Sequence, residues 1–259
     1  MGKVIAVTNQ KGGVGKTTTS VNLAAALAVA EQKVLVVDID PQGNATMGLG
    51  YDKKVQETTV YQVLTGEVSP ASATLGPIDE AKNGPDLIPS NSNLSGAEIE
   101  LVDQENRDRR LRRALVEAQE SYDYILIDCP PSLNLLTVNA LVAAHSALIP
   151  IQCEYYALEG LSQLMEVIQR IRRKANPELR VEGLLLTMYD SRNNLANQVS
   201  EEVRSHFGRK VYETTIPRNV RLGEAPSFGM PVIYYDALCR GSASYLDLAQ
   251  ELMGCGVPA

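Results

Sequence analysis

The chain has 259 residues, of which 44% are hydrophobic and 21% charged, with a formal net charge of -7 and no tryptophan. That length suits one α/β domain with a substantial core, and the composition excludes a disordered chain. No apolar run approaches the roughly 18 residues a membrane helix needs, and the start MGKVIAVTNQ lacks a signal peptide's apolar core, so a cytoplasmic protein with no membrane partner is expected.

In chain order, KVIAVTN (3–9) predicts a strand, 17–32 a helix and KVLVVDID (33–40) a second strand. Residues 44–94 are the weakest in pattern, rich in Gly, Pro, Asn, Ser and Thr, with LIPSN (87–91) as a candidate extra strand. There follow a helix over 95–119, a strand at YDYILIDCP (122–130), a helix over 134–145 and a strand at SALIPI (146–151). The helix predicted over 157–175 carries Leu158, Leu161, Leu164, Met165, Ile168 and Ile171 at helical spacing, a core-facing stripe. A strand at VEGLLLTMY (181–189), a helix over 195–208 and a strand at PVIYYD (231–236) complete the pattern. The strand runs are too continuous to be half exposed, and they alternate with helices. The fold class is α/β, a mostly parallel twisted sheet with helices on both faces, in a single domain over 1–259.

Residues 9–17 read NQKGGVGKT. Gly15, Lys16 and Thr17 complete a phosphate-binding loop, while Gln10 stands where its first glycine belongs and Lys11 is an extra lysine. The loop follows a predicted strand and opens a predicted helix, as such a loop requires. Gly12, Gly13 and Gly15 let successive N–H groups point inward around Val14, and the helix start adds partial positive charge, so a triphosphate is the expected ligand. Lys16 is placed to reach the outer phosphates, and Thr17 to ligate Mg2+ directly beside them. Asp128 ends one apolar run and is expected to hold Mg2+ through water. Asp38 and Asp40 end another, and Asp40, at the start of DPQGN, is the better candidate to orient or deprotonate an attacking water. The cysteines Cys129, Cys153, Cys239 and Cys255 have no metal-binding spacing and read as free thiols, and His145 and His206 read as helix residues.

With KGGVGKTT (11–18), DIDPQGNAT (38–46), ILIDCPPSL (125–133), EYYALEGLSQL (154–164) and IPRNVRLGEAPSFG (216–229) in order, the chain resembles the ParA/Soj partition ATPases over nearly its whole length. The first motif, a deviant Walker A loop, is shared with the wider superfamily that includes MinD and the nitrogenase iron protein. The last two are more specific to the chromosomal branch. The resemblance implies an ATP- and Mg2+-dependent ATPase that binds nucleotide through 11–18, including Thr18, with Pro217 and Asn219 contacting adenine. It implies an ATP-bound homodimer in which Lys11 crosses to the partner's nucleotide, and a ParB-type protein that stimulates hydrolysis. It also implies sequence-nonspecific binding to nucleoid DNA through Arg192 and Arg221, with Arg218 a weaker candidate. The phosphate loop begins within ten residues of Met1, so no N-terminal helix-turn-helix domain is expected.

The charge is uneven: residues 160–221 hold 11 Lys/Arg against 7 Asp/Glu, +4, and the remainder is -11. The basic clusters RDRRLRR (107–113) and RIRRK (170–174) read first as solvated helix faces paired with neighbouring Glu and Asp. Two other readings stay open, a metabolic ATP-dependent ligase or synthetase of the same fold and a MinD-like division-site regulator. An iron protein is disfavoured because Cys129 lacks a companion cysteine.

Overall fold

Successive side chains of a strand go to opposite faces of its sheet, so a run that is apolar at every position needs cover on both sides. The computed structural model, which describes residues 1–79, 83–154 and 157–254, provides it. Strands β1 (Lys3–Val7), β2 (Val34–Asp38), β3 (Asp86–Ile88), β4 (Tyr124–Asp128), β5 (Ser146–Gln152), β6 (Arg180–Tyr189) and β7 (Val211–Pro217) form one sheet in the order β3-β2-β4-β1-β5-β6-β7. Every pairing is parallel. Val4, Ala6, Leu35, Val37, Ile125 and Ile127 face one side, packed with the helices Leu135–Ala143, Ala157–Lys174 and Asn194–Phe207. Ile5, Val7, Val34, Val36 and Leu126 face the other, beneath the helices Lys16–Val29 and Arg240–Leu252. A fully buried Leu or Ile stabilises by roughly 1.5–3 kcal/mol over an exposed one, so this packing outweighs helix propensity in holding the helices.

Some expectations are corrected. PVIYYD is not a strand but a single helical turn, Val232–Tyr235: Pro231 has no N–H for a ladder, and Tyr234 and Tyr235 donate back to its carbonyl. The seventh strand is VYETTIP (211–217), which the sequence disguises because Glu213, Thr214 and Thr215 interrupt its apolar run; at the sheet edge such residues are tolerated. The helix predicted over 95–119 is broken into Leu94–Glu100, Arg107–Arg109, Arg110–Ala114 and Ala118–Ser121. Between Leu101 and Leu111 no residue is buried, and Asn106 takes a left-handed φ of 56°. Without an apolar face, nothing holds a helix together there. The helix Arg240–Leu252 was not expected, although Tyr245, Leu248, Ala249 and Leu252 form its buried stripe. His145 lies beyond its helix, where its Nδ1 accepts the N–H of Val4 at 2.9 Å. Cys129, Cys153 and Cys239 are free thiols. Cys255 and the tail 255–259, with Tyr155 and Tyr156 of the EYYALEGLSQL motif, lie outside the described residues.

One buried amide ties two helix ends together. Asn176, just beyond the helix Ala157–Lys174, donates through Nδ2 to the carbonyls of Leu141 (3.0 Å), Val142 (3.2 Å) and Ala144 (2.8 Å). Asn176→Ala leaves those carbonyls without their donor in a dry site and is expected to lower the unfolding free energy by about 2 kcal/mol in urea titration. A loss near zero would show that water takes the amide's place.

Candidate nucleotide site

Parallel pairing brings the carboxyl ends of the strands to one edge. The register sets Val7 opposite Asp128, and Asp128 opposite Asp38. The chain therefore enters the glycine loop within about one strand spacing, ~4.8 Å, of the first carboxylate.

The loop is shaped by its own polar groups. Asn9 donates from Nδ2 to the Pro150 carbonyl at 2.7 Å, and its Oδ1 accepts the N–H of Lys11 at 3.0 Å, which turns the chain off β1. Gly13 and Gly15 take φ of 73° and 88°, a region closed to most side chains. Thr187 Oγ1 donates to the Val14 carbonyl at 2.8 Å, anchoring the loop to β6, and the next residue, Met188, is itself left-handed with φ 50°. The helix that begins at Lys16 has no side-chain cap, so its first N–H groups are available to an anion. That is an observation the expected phosphates fit.

The two lysines behave differently. Lys16 is buried, with Nζ donating to the Lys11 carbonyl at 3.0 Å inside its own loop. Burial lowers its pKa from the ordinary value, against the pull of Asp128. Lys11 leaves the loop and pairs with Glu154 at 2.7 Å, both side chains 39% or more exposed. An exposed pair of this kind contributes about 0–1 kcal/mol, so a stronger charge can draw the lysine away.

The carboxylates gather around Lys16. Asp128 is fully buried; Thr17 Oγ1 donates to its Oδ2 and Ser20 Oγ to its Oδ1, each at 2.8 Å. Burial, reinforced by the neighbouring Asp38, pushes its carboxyl up to about 8. Asp38 is buried too, and burial raises it to about 6 despite bonds from the Thr46 N–H and Oγ1, both 2.8 Å, and the Asp40 N–H at 3.1 Å. Its oxygens are committed to shaping the turn. Asp40 accepts the Gln42 N–H at 2.9 Å, and its carbonyl accepts from Ser90 Oγ at 2.8 Å. Asp128 and Asp40 act on the buried lysine and Asp38 lies beside Asp128, so three carboxyls meet one ammonium, a set whose ionised forms a divalent cation would favour. Among the described residues no three His, Cys, Asp or Glu side chains are grouped to hold a metal unaided. Mg2+ needs no such group, because it takes one or two carboxylates together with phosphates and water. With its hydrogen directed to Asp128, the Thr17 hydroxyl keeps its lone pairs for a cation.

Lys11, Lys16, Thr17, Asp40 and Asp128 thus share one edge with the loop glycines. Pro217 ends β7, three strands from β1 on that edge, and Asn219 just beyond it caps a short helix by accepting the N–H of Arg221 at 2.8 Å. Arg192 follows β6 and is bound bidentately by Asp190, at 2.9 and 2.8 Å, which holds that carboxyl down to about 2. Arg221 pairs with Glu224 at 2.8 Å and Asp236 at 3.1 Å, while Arg218 is exposed. Sequence reasoning missed Ser20, Thr46, Ser90, Asn9 and Glu154. Of these only Ser20 left a signal, three residues after Thr17 and so on the same helix face.

The turn bearing Asp40 leads into a helix, Asn44–Gly48, that is keyed to a distant loop. Gly50 (φ 94°) and Gly229 (φ 61°) meet backbone to backbone: a Cβ on Gly229 would stand 2.8 Å from the Gly50 Cα, and one on Gly50 2.9 Å from the Gly229 carbonyl oxygen.

A family model described as an AAA domain matches residues 2–181. The sporulation initiation inhibitor protein Soj of Bacillus subtilis is 56% identical over 256 residues, covering 99% of this chain and 100% of that one. The chain belongs to the ParA/Soj family. The chromosome partitioning protein ParA of Caulobacter vibrioides, another relative, is 53% identical across 97% of this chain and 94% of its own. Among solved structures, the cobyrinic acid a,c-diamide synthase of Mycobacterium smegmatis with bound ADP and magnesium superposes with a TM-score of 0.85 at 37% identity, covering 98% of this chain and 94% of that one. ParA/Soj membership and the parallel sheet agree with the expected fold.

Carboxyls raised by burial favour the folded state while protonated, and that contribution is lost as pH rises from the unfolded value, about 4, through the folded values near 6 and 8. The melting temperature of the nucleotide-free protein is therefore expected to fall between pH 5 and 8.5. Asp128→Asn, which removes one titrating carboxyl, should flatten that fall, and a profile with unchanged slope would contradict the assignment.

Proposed function

We propose that this protein is a Mg2+-dependent partition ATPase, a single phosphate-loop domain over 1–259 acting in the cytoplasm on the nucleoid. ATP binding drives dimerisation, the dimer binds DNA without sequence preference, and hydrolysis stimulated by a ParB-type partner resets it. The observation that carries this reading is the divergence of the two lysines: Lys16 is folded into its own loop, while Lys11 points out of it to Glu154.

On this reading Gly12 to Thr18 wrap the phosphates with backbone N–H groups and Lys16 neutralises the outer ones. Mg2+, held by Thr17 directly and by Asp128 and Asp40 through water, supplies charge neutralisation beside the phosphates. Asp40 orients the attacking water and takes its proton. Pro217 and Asn219 contact the adenine. Lys11 exchanges Glu154 for the phosphates of a second subunit, so dimerisation becomes conditional on their charge. Arg192, Arg218 and Arg221 contact DNA phosphates; Arg192 and Arg221 must first exchange their carboxylate partners.

The Mycobacterium smegmatis relative carries the name of a metabolic synthetase. Identities of 56% and 53% to proteins named for sporulation control and chromosome partitioning, against 37%, favour partition. A cavity of 200 Å3 lined by Leu49, Tyr51, Ile78, Phe228 and Met230, and one of 590 Å3 beside Glu31, Lys33 and Tyr122, hold no residue of the loop 9–17.

Lys16→Ala is expected to abolish ATP binding, whereas Lys11→Ala keeps it and loses the ATP-dependent dimer in sedimentation. A Lys11 variant that dimerises normally would remove the main support for this reading. Asp40→Ala should retain ATP and DNA binding but lose turnover by roughly 10²- to 10⁴-fold, the range for a missing general base. DNA retention should be stronger with ATP than with ADP and weaken in Arg192→Glu; equal retention of the unaltered protein with either nucleotide refutes the switch.

A further inference from the structure

Two basic stretches remain outside that account, and the structure changes how they read. Arg112, Arg113, Arg170, Arg172, Arg173 and Lys174 are all exposed, and among the described residues none of them forms an ion pair. The expected pairing with neighbouring Glu and Asp is absent from these six. It is found instead at Arg192 and Arg221.

The fold also brings the two stretches to one corner. The helix Leu135–Ala143 lies between the helices Arg110–Ala114 and Ala157–Lys174 and touches both. On one side Asn139 clamps the first stretch, accepting the Leu111 N–H at 3.2 Å and donating to the Arg107 carbonyl at 2.8 Å. On the other, Asn176 pins the end of the second stretch to the carbonyls of Leu141, Val142 and Ala144. His145, next along the chain, feels the charge of Arg112 and of Lys3, with Glu178 opposing them. The corner lies where β5 and β6 begin, at the opposite edge of the sheet from the nucleotide loop.

We propose that this corner is a binding surface for the phosphate backbone of duplex DNA. The inference rests on the DNA-binding reading above and adds a second contact surface to it. Neighbouring helix axes lie about 8–10 Å apart, so the cations flanking the middle helix span about 16–20 Å, or five to six base pairs at ~3.4 Å each. A polymeric anion matches that span, whereas a single phosphate does not. Cations in the last turn of a helix complement its dipole, which accounts for Arg172, Arg173 and Lys174 and, weakly in a helix of five residues, for Arg112 and Arg113, but not for Arg170 or for the meeting of two such helix ends at one corner. A membrane would need a group of apolar side chains to insert; none is exposed between 169 and 178, and beside Arg112 and Arg113 the single exposed one is Val116. A protein partner would call for an apolar, charge-depleted centre, while DNA-binding surfaces are polar and strongly cationic. Glu166 and Glu178 border the second stretch, and Asp108, Glu117 and Glu120 flank the first, none of them in an ion pair with the six cations.

The surface exists in the monomer, so it predicts weak, salt-sensitive DNA binding without nucleotide and stronger binding once ATP joins two copies. The test measures affinity for a 40-base-pair duplex across a salt series, with ATP and without nucleotide, for the unaltered protein and the double variants Arg170→Gln/Arg173→Gln and Arg112→Gln/Arg113→Gln. Sedimentation with ATP reports folding and dimerisation, both expected unchanged. Each variant should bind at least ~10-fold more weakly and have a salt slope shallower by about 2, the loss of two phosphate contacts at roughly 0.9 each. If the unaltered protein binds with ATP and both variants match it in affinity and slope, this surface is refuted while the DNA reading stands. Failure of the unaltered protein to bind duplex in any state overturns both. Retention on phosphatidylglycerol vesicles that the variants lose, with duplex binding intact, would assign the corner to a membrane and reject the proposal.

Discussion

Asp38 and Asp128 stand side by side in register on adjacent strands, each fully buried, and the rest of the site is arranged around the cost of that placement. If both were ionised, two unit charges about 5 Å apart would repel by roughly 3 kcal/mol at an effective dielectric near 20. Burial together with this repulsion is why Asp128 holds its proton up to about 8. Five donors answer them: Thr17 and Ser20 for Asp128, and the Thr46 N–H, the Thr46 hydroxyl and the Asp40 N–H for Asp38. Satisfying the first carboxylate fixes the opening turn of the first helix. Satisfying the second folds the DPQGN turn and sets Asp40. The glycine loop and the Asp40 turn, separate in sequence, are therefore organised by one pair of adjacent buried carboxyls, and a cation at the edge would let both ionise.

Against this fixed centre, the contrast between the lysines has a simple physical origin. A buried ammonium must keep its partners, and Lys16 has the Lys11 carbonyl and the field of Asp128. An ammonium in an exposed pair is held weakly, and among the described residues the side chain of Lys11 is paired with Glu154 alone. The same nine residues thus supply one cation that stays and one that is free to be exchanged.

Most of the sheet was legible because strands buried on two faces leave continuous apolar runs, as in β1, β2 and β4. The glycine loop was legible because its residue types have few other uses. What escaped did so for definite reasons. β7 is an edge strand whose Glu213 and threonines conceal it, and PVIYYD imitates a strand in composition while the Pro231 carbonyl, accepting from Tyr234 and Tyr235, closes a helical turn. The partners of the carboxylates, Thr46 and Ser90, are ordinary polar residues that only the folded register brings into reach. The pairing expected at the two basic clusters is missing from six of their side chains for a related reason: whether a basic side chain is paired depends on the direction each helix turns its face, which neither composition nor local spacing specifies.

The contact between Gly50 and Gly229 bears on how motion can spread. Neither position has room for a β-carbon, so the two backbones touch with no side chain between them to compress or rotate. Flexible side chains absorb small displacements, but bare backbone passes them on. The segment that follows the Asp40 turn and the segment that follows Pro217 and Asn219 are in this sense a single lever. A displacement of either backbone therefore presses directly on the other, with no rotamer change in between to take it up.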